Sequence, residues 1–76
     1  MATMAAFERT LERGIDSDRD VVVDLSELTF IDAAGLRALA RTADRLRQEG
    51  RRLHLVRPGR HLRRLLRLAG LEELIV

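Results

Sequence analysis

The side chains that catalyse reactions or bind metals are few in this sequence and are not grouped. There is no cysteine, which excludes disulfides and thiolate metal sites, and there is no tyrosine. The two histidines, His54 and His61, are seven residues apart with no acidic residue between them. Metal sites and acid–base pairs need histidine close to carboxylates or to further histidines. Since a glycine-rich phosphate loop is also absent, we expect no enzyme, no metal site and no cofactor.

Charge is distributed unevenly along the chain. All 14 basic residues are arginine. Residues 1–36 carry eight acidic residues and three arginines, a net charge of −5, whereas residues 37–76 carry eleven arginines and four acidic residues, a net charge of +7. A surface polarised in this way can steer a charged partner.

One group of arginines recurs at helical spacing, namely Arg60, Arg63, Arg64 and Arg67. We expect this stripe to be a solvated helix face, because arginine stems also cover apolar surface. The alternative is a docking patch for an acidic partner or for a nucleic-acid backbone. Phe7 and Phe30 are the only aromatic residues, which leaves little for bases to stack on. Nucleic acid is therefore not an expected partner.

The chain has 76 residues, enough for one small domain. A domain of this size buries only about 60% of the surface that its unfolded chain exposes, so we expect a thin core and marginal stability. No apolar run approaches the roughly 18 residues of a membrane span. The N-terminal stretch MATMAAFERTLERG also lacks the long apolar segment of a signal peptide. We expect a cytoplasmic protein with no direct membrane insertion.

Helix and strand patterns alternate along the sequence. The continuous run VVVDL, Val21 to Leu25, predicts a strand buried on both faces, as in a parallel sheet. The longest helix is predicted from Ala33 to Glu49, with Asp32 as its N-cap and Gly50 after its end. The other predicted elements are a helix over residues 4–13 with Thr3 as N-cap and Gly14 closing it, a strand over Arg52–Val56, a helix from after Gly59 to about Ala69 that Gly70 ends, and a strand over Glu73–Val76. This alternation implies right-handed crossovers and parallel pairing, so the predicted fold class is α/β.

The stretch VVVDLSELTFIDAAGLRAL, Val21 to Leu39, resembles the signature of STAS domains. In that family a buried strand ends in D-L-S, a short loop carries an apolar–Asp pair, and S-S/A-G-L opens the next helix. Downstream, RRLHLVRPGRHLRRLLRLAGLEELI also resembles the family, so the likeness covers roughly residues 3–76. The resemblance implies a small domain of βα repeats, mainly parallel strands with helices packed on the sheet.

Within the family, the chain resembles the anti-sigma-factor antagonists of bacterial transcription regulation. In these proteins the serine directly after the loop aspartate is phosphorylated by the anti-sigma factor, itself a kinase, and the unphosphorylated form binds that factor in a partner-switching circuit. Here Ala33, which has no hydroxyl, occupies the serine's position, and Ala34 is equally inert. The resemblance therefore implies a non-phosphorylatable antagonist that stays competent to bind. Alternatively, Ala33 is merely a good helix-opening residue in a homologue with another role.

The resemblance assigns the partner-binding surface to the start of the longest helix: Asp32, Ala33, Ala34, Gly35 and Arg37. It assigns a structural motif to Asp24, Leu25, Ser26 and Leu36. We expect Asp32 to act as N-cap first and as partner contact second. Gly35 is expected to permit close packing of helix on strand or close approach of a partner backbone. Asp24 is expected to bond to loop amides, and Leu36 to lie in the core.

Family members normally begin with a β-hairpin ahead of the first helix and usually end with another helix, and this sequence has neither. We therefore expect an incomplete STAS domain, either a fragment or a minimal version. A sheet without its hairpin leaves an edge strand with unpaired backbone groups, which predicts self-association or marginal folding.

The expected partner is the ATP-binding domain of an anti-sigma serine kinase. The alternative is that the chain is a STAS accessory subunit of a lipid-transport ABC system and contacts its ATPase. That branch resembles the chain in its shortness and in its RLHLV-style strand.

Overall fold

A computed structural model describes residues 4–15 and 18–76. Within these ranges it contains the helices α1 (Met4–Ile15), α2 (Ala33–Gln48) and α3 (Arg60–Leu68), the strands β1 (Val21–Asp24) and β2 (Leu53–Val56), and one 3-10 turn, Glu72–Leu74. Helices and strands alternate in the order that the sequence predicts, up to the last element. The predicted N-cap, Thr3, lies outside the described residues.

The two strands pair in parallel, as predicted. Val21 lies opposite Leu53, and Asp24 lies opposite Val56. The backbone N–H of Val21 donates to the carbonyl of Arg52 at 2.9 Å, and the N–H of Leu25 donates to the carbonyl of Val56 at 2.9 Å. Parallel strands require a crossover connection, and α2 supplies it.

The prediction of a strand over Glu73–Val76 is wrong. Residues Glu72–Leu74 form a 3-10 turn, and Ile75 makes only an isolated parallel bridge to Leu55. The N–H of Val76 donates to the carbonyl of Leu55 at 3.0 Å. Two adjacent glutamates disfavour a strand, and the turn lets Leu74 pack against the core. Among the described residues of this segment, Ile75 alone bridges to β2, so no ladder forms.

The prediction that the first strand is buried on both faces is also wrong. Val21 and Val23 are buried, at 6% and 3% exposure, whereas Val22 between them is 59% exposed. Within the described ranges, the helices pack on a single face of the sheet. The leucines of α2 and α3 join the same core cluster as the buried valines. Three consecutive valines fit an edge strand with one open face as well as they fit a central strand.

The edge of β1 away from β2 carries backbone groups that the two-stranded sheet does not use. Since the N–H groups of Val21 and Leu25 point to β2, those of the alternate residues Val22 and Asp24 point to the other side. Such an edge is a template for pairing with another chain. Self-association through it stays a prediction.

Gly14 does not close the first helix, since α1 continues to Ile15. Its role is close packing of the helix on the sheet. A Cβ atom built on Gly14 would lie 2.5 Å from Cγ2 of Val21, which is far inside van der Waals contact. Any larger residue would push α1 away from β1.

The bounds of α2 follow the sequence prediction closely. Oδ1 of Asp32 accepts a hydrogen bond from the N–H of Gly35 at 2.8 Å, which confirms Asp32 as the N-cap. The helix ends at Gln48 with Glu49 as its C-cap, and Gly50 follows with a positive φ of 75°. Glycine adopts this left-handed conformation without steric cost.

The core lies between the sheet and the three helices. Its most deeply buried side chains are leucines, at 0–1% exposure: Leu25, Leu39, Leu46, Leu55, Leu62 and Leu66. Helices α2 and α3 supply two of these leucines each, and the others come from β2 and from the residue that follows β1.

One buried cation ties the amino end of the sheet together. Arg51 is 6% exposed, and its Nη1 donates to the carbonyls of Gly14 at 2.9 Å and Arg19 at 3.2 Å. The rest of the guanidinium pairs with Glu49. Arg51 therefore joins α1, the segment before β1 and the end of α2.

Candidate partner-binding surface

The candidate site lies at the carboxyl ends of β1 and β2, where α2 begins. In a βαβ unit the chain leaves the carboxyl end of the first strand and enters the helix on that side of the sheet. Asp24 ends β1, and Arg57 directly follows β2. Ligands and partners of parallel sheets bind at this edge.

The structure places most of the predicted partner-binding residues on the surface. Asp32, Ala33, Ala34 and Arg37 are exposed at the start of α2, whereas Gly35 is buried. The burial of Gly35 favours the packing role over a direct partner contact. The first turn of a helix has backbone N–H groups without intrahelical acceptors, and the cap of Asp32 satisfies the N–H of Gly35. The exposed part of the site is therefore a small-residue helix start flanked by Asp32 and Arg37.

Asp24 organises the loop after β1. Its Oδ1 accepts a hydrogen bond from the N–H of Ser26 at 2.9 Å, which confirms the expected bond to a loop amide. Its other oxygen pairs with the guanidinium of Arg57. The hydrogen bond from Arg57, and then those from Ser26, hold the pKa of the Asp24 carboxyl well below its usual range. The same contact raises the pKa of Arg57.

Arg57 adopts a backbone conformation that is rare for a residue with a side chain. Its φ is 55°, in the left-handed region. Its side chain remains 69% exposed although it pairs with Asp24. Strained residues of this kind cluster at functional sites, because a fold keeps them only where their position matters. Arg57 was not among the residues that sequence reasoning selected, because its partner Asp24 is 33 positions away.

Phe30 is the second residue that sequence reasoning missed. It is 61% exposed, while its neighbours Leu28 and Ile31 are buried at 7% and 2%. The loop is therefore anchored on both sides of the phenyl ring, which stands in solvent two residues before the N-cap. An exposed, rigidly held aromatic ring is a common anchor of protein interfaces. The signal in the sequence is Phe30 itself, a third apolar residue in a loop that Leu28 and Ile31 already anchor.

The remaining residues of the sequence motif are structural. Leu25 is 1% exposed and belongs to the core. Leu36 is partly buried and packs against the core from the first turns of α2. Ser26 is exposed in the turn after β1. Leu25 and Leu36 therefore attach the loop and the start of α2 to the core.

A separate open groove lies at the other end of the sheet. It is lined by the second half of α2, the start of β2 and the C-terminal segment, and its charged residues include Asp44, Arg47 and Arg52. Asp44 and Arg47 pair with each other at 2.9 Å. In residues 4–15 and 18–76 no group of three or more His, Asp and Glu side chains is arranged to hold a metal ion. None of the helices described is both long and apolar enough to cross a membrane.

Residues 1–76 match the family model of the STAS domain. The chain belongs to the STAS domain family. The match covers every element described above and confirms both the resemblance of the motif and the small α/β fold. No curated protein and no solved structure shows significant similarity to this STAS domain. STAS domains are in general regulatory and not catalytic.

Proposed function

We propose that this STAS domain is a non-enzymatic anti-sigma-factor antagonist that binds the ATP-binding domain of an anti-sigma serine kinase. The observation that carries the proposal is the exposed start of α2, where Asp32, Ala33 and Ala34 stand at the surface. This segment is the one that the antagonist branch presents to its kinase. The role places the protein in the cytoplasm of a bacterium.

The surface has the composition of a protein interface. The exposed ring of Phe30 precedes the N-cap, and the exposed Arg37 follows one turn into the helix. Aromatic residues and arginine are enriched at interfaces, and small residues let a partner backbone approach closely. Hydrogen bonds at Asp24 and Asp32 hold the loop and the helix start rigidly, so little conformational entropy is lost on binding.

Ala33 sets the regulatory state of the proposed antagonist. A phosphate at the first residue of α2 would bring a charge of about −1.5 to −2 to the centre of the surface. A methyl group cannot accept that phosphate, so the kinase cannot release itself by modifying this position. The protein then keeps its kinase bound.

The test is binding to the anti-sigma kinases of the same genome, measured by calorimetry with and without ATP. We expect the wild type to bind one of them and to stay bound with ATP. The Ala33→Ser variant is expected to bind, to become phosphorylated and to dissociate. Ala33→Asp is expected to bind at least about tenfold more weakly, because it places a charge at the same point.

A matched control separates the surface from general effects of charge. Ala69→Asp introduces the same side chain at the exposed C-cap of α3 and is expected to leave binding unchanged. Phe30→Ala is expected to weaken binding about tenfold, and Leu68→Ala, which removes a side chain that is 75% exposed, to have no effect.

If no kinase binds the wild type, the antagonist role fails. Binding to a lipid-transport ATPase would then support the accessory-subunit alternative.

A further inference from the structure

The outward face of α3 is a row of arginines. Arg60, Arg63, Arg64 and Arg67, called here the α3 arginine stripe, are all exposed. At 3.6 residues per turn they fall within an arc of about 100° and extend over about 10 Å. On the opposite side of the helix Leu62 and Leu66 are buried, at 1% and 0% exposure. The core leucines therefore fix the direction in which the stripe points.

The stripe is unpaired within the part of the chain that the structure describes. None of its four arginines forms an ion pair with a residue in the ranges 4–15 and 18–76, and α3 itself contains no acidic residue. In α2, by contrast, Arg45 pairs with Glu49 and Arg47 pairs with Asp44. Like charges three and four residues apart destabilise a helix. A nine-residue helix that retains such repulsion presents an unbalanced positive surface.

An exposed apolar side chain borders the stripe. Leu68 is 75% exposed and lies one turn after Arg64 on the same side of α3. Leu65 beside it is only partly buried. The outward surface of α3 therefore combines four cations with one apolar side chain, as interfacial helices do.

We propose that the α3 arginine stripe binds the surface of an anionic phospholipid bilayer, with Leu68 at the boundary between headgroups and acyl chains. Arginine binds phosphate oxygens in a bidentate manner, and an anionic leaflet offers a flat array of such groups. The helix has no aromatic residue on which bases would stack, which favours a bilayer over single-stranded nucleic acid.

This contact is peripheral, and α3 stays packed on the core through Leu62 and Leu66. It is independent of the proposed kinase binding, because it uses α3 and not the start of α2. A STAS domain bound in this way would hold its partner-binding surface near the membrane.

The test is co-sedimentation of the purified protein with vesicles of phosphatidylcholine alone, or with about one third phosphatidylglycerol. We expect binding to the anionic vesicles at low salt, loss of that binding in high salt, and no binding to the neutral vesicles. Arg63→Glu/Arg67→Glu is expected to reduce the anionic partition coefficient about 20-fold or more. The two substitutions also relieve repulsion within α3, so circular dichroism should show a folded chain.

The matched control is Arg9→Glu/Arg13→Glu on the exposed side of α1, which changes net charge by the same amount. It is expected to reduce binding much less than the stripe variant. Leu68→Ser is expected to weaken binding to anionic vesicles, whereas Val22→Ser, at a comparably exposed site, is not.

Equal losses in the two charge variants, or equal binding to neutral vesicles, would overturn the proposal. So would stripe-dependent binding to duplex DNA or polyglutamate without binding to vesicles.

Discussion

The two ends of the parallel sheet are built from similar parts but differ in burial and in backbone conformation. At each end an aspartate beside β1 contacts a basic residue of the β2 segment: Asp20 lies 3.1 Å from Nε2 of His54, and Asp24 pairs with Arg57. The amino end adds a buried cation, Arg51, which donates to two backbone carbonyls. Among residues 4–15 and 18–76, left-handed backbone at a residue with a side chain occurs only at the carboxyl end.

We propose that this difference separates stability from recognition. The amino end joins α1, β1, β2 and the end of α2 through hydrogen bonds, and those from Arg51 to the backbone are buried or partly buried, so loss of this guanidinium is costly. The carboxyl end keeps its charges and its aromatic ring in solvent, where they are available to a partner. The following substitutions test whether the two ends can be separated in this way.

The largest effect is expected from Arg51→Ala. The substitution removes the buried guanidinium and leaves the carbonyls of Gly14 and Arg19 without that donor. Each buried acceptor left without a donor costs about 1–3 kcal/mol, a large part of the stability of a domain this small. Urea denaturation should show a chain that is largely unfolded at room temperature. Arg52→Ala, at the exposed neighbouring position, is the control, and equal midpoints for the two variants would refute the anchoring role.

A smaller loss is expected from Gly14→Ala, since the new Cβ atom meets Val21. Overpacking costs about 1–3 kcal/mol, and the better helix propensity of alanine offsets up to about 1 kcal/mol of it. The net loss of about 1–2 kcal/mol should be measurable by thermal unfolding.

The double variant Gly14→Ala/Val21→Ala decides whether the clash is the cause. We expect its loss of stability to be smaller than the sum of the two single losses, because Val21→Ala makes room for the added methyl group. Gly59→Ser, where nothing lies within 4 Å of the added Cβ, is expected to be neutral or stabilising. Strict additivity would contradict the packing role of Gly14.

At the carboxyl end, we expect Arg57→Gly to be more stable than Arg57→Ala. Both variants lose the ion pair with Asp24, and only glycine adopts the left-handed conformation without strain. The melting temperatures should differ by a few degrees. Both variants should lose affinity for the kinase, which a purely structural role would not explain. Equal melting temperatures would show that the backbone at residue 57 is not strained.

The smallest effect is the dependence of stability on pH. His54 and the N–H of Arg52 lower the pKa of Asp20, and Arg57 and Ser26 lower that of Asp24. A carboxyl whose pKa is lower in the folded state stabilises the fold above its unfolded pKa, about 4. That stabilisation is lost as the pH falls through the lowered values.

The melting temperature should therefore decline below about pH 4 in the wild type, and less steeply in Asp20→Asn/Asp24→Asn. Asp18→Asn is the control, because Asp18 has no ion pair with a described residue. An acid slope in the double variant as steep as in the control would contradict the contribution of these two carboxylates.

The sequence predicts best what neighbouring residues determine. The bounds of α2 follow from Asp32 and Gly50. Asp32 caps the helix and Gly50 adopts the left-handed conformation, and both properties depend on neighbouring residues. The parallel pairing follows from the alternation of helices and strands, and the STAS signature follows from one continuous stretch of sequence.

The errors concern what distant residues determine. Whether Val22 is buried depends on what covers the second face of the sheet, and the pattern of three valines does not specify that. The pairing of Ile75 depends on where the 3-10 turn leaves it beside β2. The contacts of Arg51 and Arg57 join residues 37 and 33 positions apart, so no local pattern marks them.

The hydrogen bond from Arg51 to Gly14 also sets an order of events during synthesis. At about 5–20 residues per second, the ribosome releases the carbonyl acceptor of Gly14 seconds before the guanidinium donor. During this interval α1 lacks the hydrogen bond from Arg51 at its C-terminal end, and a helix of 12 residues is marginal alone. The end of α1 is therefore fully fixed only after β1 and α2 have been made.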